Sequence, residues 1–154
     1  MRFPLFLFNI TNFDLNNRII EIYQTIDFTN TTSNNLNYII LNDWAHSYFR
    51  PTTPLGKRLS EDFTLNFQRS TKNQRGFTTI IDIKSDSTIL DHTRLKENID
   101  LVKVKLKNLL KPNEKITITI EYKIKIPISD FTGYGIDKNN NINLSEWFIT
   151  LAKV

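Results

Sequence analysis

The chain has 154 residues, a formal net charge of +4 and no Cys. That length suffices for one domain burying roughly 68–70% of the surface of its unfolded chain. The missing Cys excludes disulfides and thiolate metal sites, and no apolar run approaches the roughly 18 residues of a membrane span.

The residue mix favours strands. There are 21 Ile, 11 Phe and 18 Asn but only 2 Ala. β-branched and aromatic residues suit a pleated, half-buried surface, Asn suits turns, and Ala is the best helix former.

The chain opens with MRFPLFLFNI. One Arg before a short apolar run imitates a signal peptide, but Pro4 interrupts it and no small-residue cleavage site follows. A first strand is the better reading, and the sequence assigns no compartment. RIIEIYQTIDF is a second strand beyond the turn formers of NFDLNN. There Ile20, Ile22, Ile26 and Phe28 share a face with Gln24, which must find hydrogen bonds if it is buried.

NTTSNN is a loop, LNYIIL a short buried strand, and GFTTIIDI another strand. Between the last two, Leu55, Leu59 and Phe63 recur at helical spacing in PLGKRLSEDF and predict a short helix. DHTRLKENI predicts one further helical turn. In IDLVKVKLKNLLKPNE, Val102, Val104 and Leu106 alternate with lysines up to a turn at Pro112 and Asn113. KITITIEYKIKIP alternates strictly and predicts a long strand with one wet face. These two segments read as an antiparallel pair. The chain, residues 1–154, is expected to form a single all-β domain of seven or eight strands, most simply an antiparallel β-sandwich.

The chemistry-bearing residues are sparse. His46 and His92 lie in separate loops without a zinc-ligand pattern, and H-E-x-x-H is absent. Ser47 beside His46 is adjacency without a triad. DKNNNINLSEWF imitates a calcium loop through Asp137, Asn139 and Asn141. The match then fails, because Ile142 stands at the turn Gly and Phe148 at the bidentate Glu. An Asn-rich hairpin tip explains the same letters, and TGYG reads as a turn before a strand. No catalytic residue, metal ligand or cofactor site is assigned. The lysines of VKVKLK and YKIKI read as solvated sheet faces. Nucleic-acid binding is disfavoured because the candidate platform aromatics Trp44, Tyr48, Tyr134 and Trp147 lie outside those strands. Trp44, Tyr48, Tyr134 and Trp147 are the aromatics expected either to pack or to face a ligand.

The segment LNDWAHSYFRPTTPLGKRL, residues 41–59, is the most individual of the chain. It is expected to close off a β-sheet rather than to build an active site around His46. Packing falls to Trp44 and Phe49, and Pro51 and Pro54 fix the loop. Arg50, Lys57 and Arg58 face solvent or ion-pair partners.

Several stretches, in order, resemble the N-terminal β domain of M1-family zinc metallopeptidases, the gluzincin aminopeptidases, in their Bacteroidetes-like branch. They are IIEIYQTIDFTNTT, LNYIILNDWAHSYFRPTTPLGKRLSEDF, LKNLLKPNEKITITIEYKIKIP and FTGYGIDKNNNINLSEWFITLAKV. The resemblance covers residues 9–154. It implies a non-catalytic domain that scaffolds the catalytic domain of a metallopeptidase and walls its substrate cleft. Zinc is expected only in that downstream domain, where the family carries H-E-x-x-H and a later Glu. A domain cut short near FITLAKV would lack its last strands and expose a sheet edge that invites self-association. The alternative is a stand-alone β-sandwich that binds a glycan or protein, with Trp44, Tyr48, Tyr134 and Trp147 as its platform.

Overall fold

The structure is a computed structural model and describes residues 5–152. The start of the expected first strand, Arg2–Pro4, lies outside the described residues. From Leu5 onward that strand is present.

A five-stranded antiparallel sheet has the order β1 (Leu5–Asp14), β2 (Ile19–Thr29), β8 (Lys115–Lys125), β4 (Phe77–Ser85), β5 (Thr88–Ile89). A four-stranded sheet has the order β11 (Thr150–Leu151), β3 (Leu36–Asn42), β7 (Leu101–Leu110), β6 (His92–Arg94). β9 (Gly135–Ile136) and β10 (Ile142–Asn143) form a separate hairpin. Among the described residues the one α-helix, α1, is Pro54–Glu61, and a 3-10 helix covers Trp44–Tyr48.

Alternation along the long strands decides the core. Ile118, Ile120, Tyr122 and Ile124 of β8 are buried, and so are Ile20, Ile22 and Ile26 of β2. They join Ile39 and Leu41 of β3 and Val102, Val104 and Leu106 of β7 in one cluster. Each sheet therefore contributes one face to a shared core, the period-two signature of a strand with one wet side.

The expected pairing of VKVKLK with KITITIEYKIKIP does not occur. β7 pairs with β3 and β6, and β8 with β2 and β4. The segment around Pro112 is a crossover between sheets. Both strands carry one apolar face, and two such faces are buried equally well by opposing each other across a core. Asn30 pins the crossover: it is fully buried, and its Nδ2 donates to Leu110 O at 2.9 Å and to Asn34 O at 2.8 Å.

Two further expectations change. DHTRLKENI supplies β6 instead of a helical turn, because His92, Thr93 and Arg94 find ladder partners on β7. Phe63 is not the third residue of the helical stripe. α1 ends at Glu61, and Phe63, with φ 56°, turns outward to 89% exposure. Leu55 and Leu59 of the same stripe do pack inward. Eleven strands occur among the described residues, more than expected, because four of them have only two residues. Strands that short leave no periodicity to read.

Candidate functional site

The segment following β3 builds the most polar part of the interior. Asp43 follows the strand and is almost fully buried. One carboxylate oxygen accepts from Thr78 Oγ1 at 2.7 Å, and the other from Arg94 Nη2 at 2.6 Å. Thr78 lies on β4 and Arg94 on β6, so this carboxylate ties the two sheets together. Burial pushes the Asp43 carboxyl above its ordinary range, while the Arg94 charge and the Thr78 hydroxyl pull it back.

His46 sits on the 3-10 helix and is buried. Its Nδ1 accepts from Thr78 N at 3.1 Å and lies 3.1 Å from Thr78 O. Thr78 is paired with β8 on its other side, so the imidazole takes the position of a missing neighbour strand. The ring stacks on Phe49 at 5.1 Å. Burial, then the positive charges of Arg94 and Arg50, hold the imidazole pKa down at about 4, against a weaker upward pull from Thr78. His46 is therefore neutral at physiological pH and serves as a sheet-edge cap. Ser47 Oγ is buried without a hydrogen-bond partner, so it forms no nucleophile–base pair with His46.

The next turn is held by α1. Thr53 caps the helix, accepting from Gly56 N at 3.1 Å and donating to Ser47 O at 2.7 Å. Pro54 opens the helix, a position where its missing N–H costs nothing. Gly56 passes so close to Pro51 that an added Cβ would lie 2.1 Å from Pro51 O. Arg50, Lys57 and Arg58 are exposed. The stretch closes a sheet, as its sequence suggests.

The four aromatics separate. Tyr48 and Tyr134 are 1% and 4% exposed and stack at 5.1 Å, which removes both from any ligand platform. They belong to a second core with Phe67, Phe131 and Leu55. The Tyr48 hydroxyl bonds Thr132 Oγ1 at 2.6 Å, whereas the Tyr134 hydroxyl is buried with no partner. Trp44 and Trp147 are half-buried and border both cores or the second alone. Packing is thus the role the structure gives this group.

No protein-family model matches the chain, and no curated protein matches it.

Asp137 accepts from Asn139 N at 2.7 Å and Asn141 N at 2.9 Å, which makes it the cap of the β9–β10 hairpin. Among the described residues no group of three or more His, Cys, Asp or Glu is arranged to hold a metal ion. No helix among them is long and apolar enough to cross a membrane.

Two surface features escaped the sequence. The first is β1, an edge strand that exposes Leu5, Leu7, Phe8, Ile10 and Phe13 at 42–60%. Phe8 is partly shielded by Trp147 at 5.1 Å and Phe148 at 5.5 Å. The second is Tyr38 on β3, which stands in register with Lys105 of β7. Neither the uncovered side of β1 nor the Tyr–Lys register has a signal within a single strand.

Proposed function

We propose that the chain is a non-catalytic β-sandwich domain that supports a larger protein, in the manner of the N-terminal domain of an M1-type zinc metallopeptidase. The observation that carries this reading is β1. Among the described residues it pairs on one side only, and its apolar side chains reach solvent on both faces of the sheet. Apolar side chains exposed along an edge strand support a contact with another folded unit. The resemblance names that unit as the catalytic domain, joined in cis.

The domain contributes shape and packing surface, and no zinc ligand of its own enters the reading. His46 is engaged with the backbone of Thr78, consistent with a structural role. The stand-alone glycan- or protein-binding alternative loses two of its four platform residues to burial.

Two measurements test the proposal. A clean preparation is assayed against aminoacyl-p-nitroanilides with and without zinc, and no turnover is expected; robust zinc-dependent hydrolysis overturns the reading. The gene is then read past the codon for Val154. An open frame encoding H-E-x-x-H and a later Glu supports the domain role. A downstream region lacking that motif overturns it in favour of a free-standing module.

A further inference from the structure

The lysines of β7 and β8 look alike in the sequence, but their surroundings differ. On the five-stranded sheet, Lys123 bonds Glu21 at 2.5 Å, Lys115 bonds Asp27 at 2.8 Å, and Lys84 of β4 bonds Asp82 at 2.6 Å. Those charges are neutralised by cross-strand or same-strand carboxylates. On β7, Lys103, Lys105 and Lys107 are all exposed, and among the described residues none has a carboxylate within ion-pair distance. Spaced two residues apart, their Cα atoms form a row with a step of about 7 Å.

An aromatic ring lies within this row. Tyr38 is 41% exposed, and Lys103 Nζ sits 4.1 Å from its ring centroid. The β3–β7 register slips between Leu36 and Tyr38, so β7 bulges away after Lys105. The bulge opens a cleft of about 500 Å³ lined by Tyr38, His92, the three lysines and a single acid, Asp91. A cation over an exposed ring is held by only about 0.5–1 kcal/mol. A stacking base could therefore displace the Lys103 ammonium, which would remain free to meet a phosphate.

We propose that this face binds single-stranded nucleic acid, with a base stacked on Tyr38 and the backbone phosphates met by Lys103, Lys105 and Lys107. A cationic row beside an exposed ring is the arrangement that recognises a strand without reading its sequence. The sequence argued against nucleic acid because the platform aromatics Trp44, Tyr48, Tyr134 and Trp147 lie outside the lysine strands, and Tyr122 of β8 is buried; the β3–β7 register supplies an exposed ring from the neighbouring strand. The inference does not depend on the domain role proposed above, which rests on β1.

The test is fluorescence polarisation of the full chain with a labelled oligothymidylate of about a dozen nucleotides, with inorganic polyphosphate as the base-free probe. Three phosphate contacts predict a slope of log K against log salt near −2, at about −0.7 per contact on a single strand. Lys105→Gln is expected to flatten the slope by about 0.7. Tyr38→Ala is expected to weaken oligothymidylate about tenfold or more, Tyr38→Phe to retain affinity, and Lys123→Gln on the ion-paired face to change nothing. No binding at about 50 mM salt overturns the proposal. So does polyphosphate binding as tightly as oligothymidylate, or oligothymidylate affinity unmoved by Tyr38→Ala. Circular dichroism confirms that each variant is folded before it is scored.

Discussion

His46 Nδ1 lies 3.1 Å from both the backbone N and the backbone O of Thr78. One side chain thereby occupies the bonding position that a further strand would take beside β4. An open strand edge invites pairing with other chains, and covering it with a loop is a usual defence. The 41–59 segment does this with a ring that is neutral in the folded state.

That neutrality sets a pH dependence. The folded pKa of His46 is about 4, below its ordinary value of 6.5. Between these values the unfolded chain binds the extra proton, so stability is complete above pH 6.5 and falls as the pH drops towards 4. The loss is about 3 kcal/mol over that window. Asp43 acts in the opposite direction, since its raised carboxyl takes a proton more readily when folded. The comparison is therefore urea unfolding of wild type and His46→Phe across this range. The variant is expected to be less stable at pH 7 and to show a flatter acid slope. Parallel slopes would mean that His46 titrates in the fold as it does in water.

Arg94 is the sole cation bonded to the buried Asp43 carboxylate among the described residues. Arg94→Met leaves that charge uncompensated and is expected to cost about 3–5 kcal/mol. Adding Asp43→Asn should recover much of the loss, because the double variant buries no lone charge. A thermal melt of the three variants checks this. Equal and additive losses would show that the two side chains act separately.

Tyr122 and Tyr134 are both buried tyrosines, yet their hydroxyls differ. Tyr122 Oη donates to Gln24 Oε1 at 2.5 Å, and Gln24 Nε2 donates to Ile149 O at 2.6 Å. This chain ties β2 and β8 to the segment leading into β11. Tyr122→Phe strands the Gln24 oxygen and is expected to cost about 1–3 kcal/mol. Tyr134→Phe removes a hydroxyl that has no partner, so it should be neutral or stabilising. Chemical denaturation reads both, and a costly Tyr134→Phe would reveal a bond to that hydroxyl.

Trp147 packs edge-on against Phe8 and touches both cores. Trp147→Ala is expected to lower stability by about 3 kcal/mol, in the range for large aromatic truncations. A melting temperature left unchanged would return Trp147 to the surface as a ligand-facing residue.

Much of the fold was legible because it rests on period two. The wet and dry faces of β8 and a satisfied Gln24 follow from alternation and from the cost of burying a bare amide. Helix α1 was legible from the spacing of Leu55 and Leu59, except that Phe63 turns away in a left-handed conformation. The interior cluster of Asp43, Thr78 and Arg94 was not legible. Its members follow β3 or lie on β4 and β6, and nothing local marks residues so far apart in the chain as partners.

Sequence by itself determined the long alternating strands β2, β7 and β8 and which side of each is dry, since both depend on neighbours two positions away. Only the tertiary structure decided which strands meet. β7 and β8 carry the same alternation and the same lysines, yet they lie in different sheets. Register places Glu21 opposite Lys123 and Tyr38 opposite Lys105. Lys123 is thereby neutralised, and the β7 row is left as free charge beside an aromatic ring. Hydrophobic burial is non-directional and selects the faces, whereas hydrogen-bond register selects the partners and so decides where charge remains on the surface.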